Sequence, residues 1–185
     1  FNIMNTILNE LTTELNNLKW SKSNNKKYGR QSLNVSRTDD EEEPDRFYFI
    51  CGLIRDWSRR EYNNYEASLR ISKASKLKKH QRIIELATKY IELLDPNFTY
   101  TSIQFSKCML TPKHVDKNNV GLSTIVGIGD YTDGSLIIYD EEGNEHTHDI
   151  YHKPLVFNAN QQYHRTQDFT GTRYTITWYC VKDFK

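Results

Sequence analysis

Charge of one sign is missing: 25 Lys and Arg against 24 Asp and Glu leave a net +1 over 185 residues. No global field therefore steers the whole chain toward a polyanion or an acidic membrane surface. Long apolar runs are missing as well, none approaching the roughly 18 to 20 residues that a membrane span needs. Cysteine is scarce and odd in number: Cys51, Cys108 and Cys180 lie far apart. That excludes a disulfide framework and a cysteine-based zinc site, and it points to a reducing compartment, cytoplasm or nucleus. No basic-then-apolar leader stands at Phe1, so the expectation is a fragment boundary there rather than a signal peptide. No period of 20 to 50 residues is visible, which excludes solenoids and propellers. What is present is 37% hydrophobic and 12% aromatic residues, enough to fill a core despite a mean hydropathy of -0.77. The length suits a single domain over 1–185.

Ile3, Ile7, Leu8, Leu11, Leu15 and Leu18 recur at helical spacing, so about Asn2 to Lys19 reads as an amphipathic helix closed by Trp20. Ser21 to Arg37 is polar and basic and Asp39 to Glu43 is acidic, which together read as a solvated loop around a short strand. Phe47 to Trp57 reads as a strand or a buried turn. Ala74, Leu77, Ile84, Ala87, Ile91 and Leu94 form a second helical stripe that stops at Asp95-Pro96. Its first half carries Arg70, Lys73, Lys76, Lys78, Lys79 and Arg82 without an acid. From Thr99 the texture changes to about eight short strands divided by turn signals, with no helical segment between them. That favours an antiparallel sandwich or jelly roll over 99–181, preceded by a helical and loop part over 1–98.

His114-Val115-Asp116 lies in a strand-like stretch, where residues two apart share a side and can grip one ion. His164 is the natural third ligand. Two histidines and one carboxylate make the facial triad of non-haem Fe(II) sites, leaving one face open for oxidant and substrate. Asp168 to Gly171 reads as a four-residue turn, which would pair the flanks as a hairpin with Gln167 opposite Thr172 and His164 opposite Thr175. Arg173 would then point to the face that holds His164. Its guanidinium fork suits a carboxylate, and Thr175 can add a hydroxyl.

His114-x-Asp116, the distal His164 and Arg173-x-Thr175 resemble the signature of the Fe(II)/2-oxoglutarate-dependent dioxygenases. The resemblance spans roughly Tyr100 to Cys180. It implies an α+β chain with a double-stranded β-helix core, the cupin-like jelly roll, with helices packed outside. It also implies iron held by His114, Asp116 and His164, and 2-oxoglutarate chelating the metal with its distal carboxylate on Arg173 and Thr175. Dioxygen would then drive hydroxylation or oxidative demethylation of a C–H bond.

For the substrate, the AlkB-like demethylases of nucleic acids share the Arg-Tyr-x-x-Thr strand, here Arg173 to Thr177, although Tyr179 and Ile103-Gln104-Phe105 depart from that group's pattern. Lys73, Lys76, Lys79 and Arg82 would meet phosphates, and Trp20, Trp57, Tyr62 and Tyr65 would stack on an extruded base or else fill the core. The lead expectation is a nucleic-acid base. A protein side-chain hydroxylase, a zinc hydrolase and a non-catalytic metal-binding jelly roll are the alternatives, and only an oxygenase needs the carboxylate-binding Arg173 beside the triad. His146 and His148 read as exposed strand histidines, and Cys108 as buried packing.

Overall fold

The structure, a computed structural model, describes residues 2–20, 47–56 and 68–182. The basic stretch Ser21 to Arg37, the acidic run Asp39 to Glu43, and Trp57, Tyr62 and Tyr65 lie outside the described residues.

Helix α1 (Ile3–Asn17) starts where the Asn2 side chain accepts a hydrogen bond from the Met4 amide. It buries Ile7, Leu8, Leu11 and Leu15, whereas Ile3, the first member of the expected stripe, is exposed. Trp20 closes the helix end. Its indole N–H donates to the Leu15 carbonyl at 3.1 Å, one of the acceptors a helix C-terminus leaves unpaired. The ring stacks on Tyr174 at 5.9 Å and contacts Phe47 and Phe49, so it is a core residue and not a platform for a base.

Helix α2 (Gln81–Leu94) is shorter than the periodicity suggests; Ala87 and Ile91 of the expected stripe are buried together with Ile83, Leu86 and Tyr90, and Ile84 and Leu94 pack against the same cluster. Two 3-10 turns, Lys73–Lys76 and Lys78–His80, occupy what the spacing assigned to its first half. Ser72 accounts for the change: its hydroxyl donates to the Ile50 carbonyl and accepts from the Ser75 amide, tying this segment to a strand before the helix can begin. Leu77 is consequently exposed. Among the described residues, no helix is long and apolar enough to cross a membrane.

Among the described residues nine strands form antiparallel sheets: β1 (Phe47–Asp56), β2 (Ser68–Ile71), β3 (Ser102–Lys107), β4 (Asn119–Asp133), β5 (Leu136–Tyr139), β6 (Glu145–His148), β7 (Leu155–Phe157), β8 (His164–Thr166) and β9 (Phe169–Val181). One sheet runs β2-β1-β3-β9-β4-β7 and the other β6-β5-β8. The segment Phe47 to Trp57 is thus resolved as a strand through Asp56, and β1 and β2 extend the larger sheet ahead of the expected jelly-roll region.

Alternation divides the two faces of the larger sheet. Phe105, Val126, Ile128, Tyr174, Ile176 and Trp178 pack in one cluster with the buried residues of α1 and α2. The opposite face carries Ile125, Leu155 and Phe157, which pack with Leu136 and Ile138 of the smaller sheet and with Ile150. Helices therefore cover the outside and the second sheet covers the inside, an α+β arrangement of two facing antiparallel sheets.

His80, at the entry to α2, stacks on Phe49 at 4.1 Å with its Nδ1 bonded to the Ala74 carbonyl. Burial lowers its pKa below the ordinary 6.5, more than the hydrogen bond to Ala74 raises it. The unfolded chain therefore binds this proton first as pH falls. The His80 contribution to stability should be level above about pH 6.5 and fall below it, by at most about 1.4 kcal/mol per pH unit. Urea midpoints measured across that range, for the wild type and for His80→Gln, test this: the variant should show the shallower slope.

Candidate metal centre

His114 lies in an irregular segment between β3 and β4, where a single antiparallel bridge holds it to β8. Its amide donates to the His164 carbonyl and the His164 amide donates back, both at 3.0 Å. The Thr166 amide donates to the Thr111 carbonyl at 3.0 Å, which aligns the approach. Outside, the Lys113 ammonium sits 4.0 Å above the Tyr139 ring and pins the same segment to the smaller sheet. The two imidazoles then lie 4.4 Å apart between centroids. Phe157 meets His164 edge-on at 5.1 Å, a contact that packs the buried imidazole from the larger sheet.

The ring tautomers follow from their backbone partners. His114 Nδ1 donates to the Pro112 carbonyl at 2.6 Å and His164 Nδ1 to the Gln162 carbonyl at 2.8 Å. Each neutral ring thus keeps its lone pair on Nε2. Both Nε2 atoms face the Asp116 carboxylate, His114 at 3.3 Å from Oδ1 and His164 at 3.5 Å from Oδ2. Lone pairs facing a carboxylate repel unless a cation sits among them. Either protons on the rings or one metal ion satisfies the arrangement, and all three ligand atoms lie within 4.8 Å of one another. Among the described residues this is the one cluster of three His, Cys or carboxylate groups that can hold a metal. Burial alone would raise the Asp116 carboxyl, but the two histidines outweigh it and hold the group well below the usual carboxylate range. Burial likewise opposes a charged His114, and the Asp116 hydrogen bond overcomes it, so that His114 titrates above its ordinary value.

Arg173 reaches the interior by a different route from the expected hairpin. Strands β8 and β9 are not paired: β8 lies against β5 in the smaller sheet, while β9 lies between β3 and β4 in the larger one. Thr175 is opposite Ser106 and Gly127, not His164, and Thr172 is opposite Asp130, not Gln167. Gln167 instead bonds Ser135, its amide donating to the carbonyl and its side-chain oxygen accepting from the amide, so the chain crosses between sheets at this point. Alternation along β9 then does what the hairpin was expected to do. Tyr174, Ile176 and Trp178 face the helices, so Arg173, Thr175 and Thr177 face the space between the sheets.

Arg173 is 4% exposed, and its Nε donates to the Gly134 carbonyl at 3.0 Å. The guanidinium carbon lies 5.7 Å from the Tyr131 ring centroid and 5.6 Å from that of Phe169. No carboxylate pairs with it among the described residues, and burial pushes its pKa down. Beside it the Tyr131 hydroxyl is buried with the guanidinium as its polar neighbour and, among the described residues, no acceptor for its own proton. A buried cation beside a phenol whose O–H has no acceptor forms a seat suited to an anion. Two glycines keep it open. A Cβ on Gly127 would collide with the Tyr131 hydroxyl, and one on Gly134 would lie 2.9 Å from Arg173 Cδ and Nε. Tyr131, Gly127 and Gly134 escape sequence reading, although Gly127, Gly129 and Tyr131 are spaced by two and so share a face along one strand.

The remaining candidates lie elsewhere. His146 is exposed and pairs with Asp140 at 2.9 Å, while His148 is half-buried beside a cleft of about 190 Å³ floored by Ile138, Leu155 and Phe157. Lys73 and Lys76 are exposed on a 3-10 turn. Lys79 donates to the Lys19 carbonyl, and Arg82 pairs with Glu10 at 3.0 Å and Glu85 at 3.1 Å. The expected basic helix face is therefore divided between turns and α2, and Arg82 spends its charge on two carboxylates. Cys51 and Cys108 are buried, and all three cysteines are free.

No family model matches the sequence and no curated protein does. Solved structures share the fold. An oxidoreductase of the 2OG-Fe(II) oxygenase family from Burkholderia pseudomallei superposes with a TM-score of 0.56 at 9% identity, covering 93% of this chain and 76% of its own. A prolyl-4-hydroxylase from Pseudomonas putida gives 0.52 at 12% identity, with 97% and 86% covered. NgTET1 in complex with 5mC DNA gives 0.56 at 12% identity, with 96% and 68% covered.

Protons compete with a metal for the two imidazoles. Divalent-ion affinity should therefore be highest above the raised pKa of His114 and fall as pH drops through it, by roughly tenfold for each proton that must be displaced per pH unit. Titration with Co(II) followed by visible absorption should show this fall, and His164→Ala should abolish binding.

Proposed function

We propose that the chain is a member of the Fe(II)/2-oxoglutarate-dependent dioxygenase superfamily, an oxidoreductase that hydroxylates or oxidatively demethylates a C–H bond. One observation carries the reading: a 2-His-1-carboxylate cluster and a buried guanidinium without a carboxylate partner belong to one two-sheet core. A zinc hydrolase or a metal-binding module has no use for that guanidinium. The core is read as a double-stranded β-helix.

In this reading His114, Asp116 and His164 hold Fe(II) through Nε2 and carboxylate oxygens, with each Nδ1 proton fixed on a backbone carbonyl. Arg173 binds the distal carboxylate of 2-oxoglutarate, Thr175 adds a hydroxyl, and the neighbouring Tyr131 O–H supplies a further donor. Iron, with 2-oxoglutarate and dioxygen, supplies the oxidation of the C–H bond, coupled to conversion of the co-substrate to succinate and carbon dioxide. Ile125, Leu136, Ile138, Leu155 and Phe157 wall the interior and keep water out. Gly127 and Gly134 leave room for the anion, and the Gly134 carbonyl orients the guanidinium.

A nucleic-acid base is the first substrate to test and a protein side chain the second. One observation moves weight to the second: α2, with Arg82, packs on the helix-covered face of the larger sheet, whereas the triad's partner residues occupy the opposite face. The lysines ahead of α2 would have to lead a bound strand around the sheet edge.

Two measurements test the assignment. Anaerobic addition of Fe(II) and 2-oxoglutarate should give a weak visible charge-transfer band, and Arg173→Ala should raise the 2-oxoglutarate requirement at least tenfold, equal to about 1.4 kcal/mol or more. An unchanged requirement removes Arg173 from this role. For the substrate, phosphate contacts by Lys73, Lys76 and Lys79 predict a log-log salt slope of about -0.7 to -0.9 per contact, with affinity lost when all three become Ser. A flat salt response eliminates nucleic acid and leaves the protein side chain.

A further inference from the structure

Asp116 comes from the least regular part of the centre. It follows the His114 bridge and precedes the first residue of β4, with no strand ladder of its own. Three features fix it. Its amide donates to the Ala159 carbonyl at 2.8 Å, and its carbonyl accepts from the Asn119 amide at 3.1 Å. The third is Asn160, whose Nδ2 lies 2.8 Å from the Asn119 carbonyl oxygen and 3.4 Å from those of Asp116 and Lys117.

Three carbonyl oxygens converge on one amide nitrogen. Carbonyl dipoles repel when their oxygens gather, and a donor at the centre is what makes the gathering favourable. The turn that carries Asn160 is itself rigid. The amides of Gln161 and Gln162 donate to the Asn158 carbonyl at 3.1 and 2.8 Å, the Asn158 amide donates to Gln162 Oε1 at 2.9 Å, and Ala159 is buried. The same turn sets the second histidine, since the Gln162 carbonyl receives the His164 Nδ1 proton. Two ligands from segments far apart in sequence are thus referenced to one five-residue turn.

We propose that Asn160 is a positioning residue for the metal centre, holding the backbone on which Asp116 rides so that its carboxylate meets the two Nε2 atoms. The proposal rests on the reading of His114, Asp116 and His164 as metal ligands. It does not involve the 2-oxoglutarate seat. Asn160 acts through backbone carbonyls and touches no reacting atom. Asn160→Asp keeps the shape and replaces the donor with a carboxylate facing three carbonyl oxygens, so it tests the charge pattern rather than the packing.

The experiment is a Co(II) titration of the full chain followed by visible absorption, with urea midpoints measured on the same metal-free samples. Asn160→Asp should bind Co(II) at least tenfold more weakly than the wild type, with an altered ligand-field band, and the loss should exceed what any lowering of its unfolding midpoint accounts for. Should Asn160→Asp not fold, Asn160→Ser, which retains one short donor, carries the test with the same readouts and an intermediate loss of affinity. Wild-type affinity in the variant that folds, or a loss that scales with its loss of stability, overturns the proposal. A wild type that binds no Co(II), or binds it equally after His164→Ala, overturns the metal centre itself and the role of Asn160 with it.

Discussion

Alternation along β9 is the constraint on which the rest of the molecule depends. This strand is paired on both sides, to β3 and to β4, so its backbone cannot rotate without breaking two ladders. Fixing its phase puts Tyr174, Ile176 and Trp178 under the helices and Arg173 and Thr175 between the sheets. A slip of one residue would exchange the two sets, sending a guanidinium under α1 and a tryptophan into the interior. The helix-side cluster therefore sets the register of the interior. Trp20, stacked on Tyr174, and the Tyr174 hydroxyl, which donates to Asn16 Oδ1 at 2.8 Å, extend that control to α1.

The interior combines two unfavourable features that offset one another only in the presence of ligands. A carboxylate faces two imidazole lone pairs, which calls for a cation, and a buried guanidinium without a carboxylate partner stands beside a phenol whose O–H has no acceptor, which calls for an anion. Burial makes the second demand stronger, because Arg173 is 4% exposed and is offered no water in exchange, whereas the Asp116 side chain stays 39% exposed at the mouth of the centre. Such conflicts in an otherwise well-packed core are where function is expected to lie. Apolar residues of both sheets surround them, and Phe157 belongs both to that apolar cluster and to the packing of His164.

The centre is held from behind by backbone more than by side chains. Carbonyls of Pro112 and Gln162 fix the ring tautomers, that of Gly134 fixes the guanidinium, and that of Ala159 fixes the Asp116 amide. Backbone acceptors carry no titratable proton and lose no rotamer entropy on ordering, so they hold geometry at little cost. This also explains why residues such as Gly134 and Asn160 are inconspicuous in the sequence: their roles lie in where the chain returns, not in their own chemistry.

Local information alone was enough for α1, whose apolar spacing needs no partner to be read, and for the stop of α2 at Asp95-Pro96. It was enough also for His114-x-Asp116, because ligand type and i, i+2 spacing are properties of one short segment. The union of His164 with that pair, and of Arg173 with the same core, was legible as chemistry but not as geometry. The apparent hairpin around Asp168 to Gly171 is a crossover between sheets, since Gln167 finds its hydrogen bonds on Ser135 rather than on Thr172. The start of α2 was likewise decided at a distance, by Ser72 bonding to Ile50. Tyr131, Gly127 and Gly134 acquired roles only when β4 was laid beside β9. Periodicity and residue chemistry are carried by the chain itself, whereas strand partners and the space between two sheets are settled by competition among distant segments for hydrogen bonds and burial. That is why the sequence determined which residue types gather at the candidate centre, helix α1 and the end of α2, and tertiary structure decided what stands opposite them.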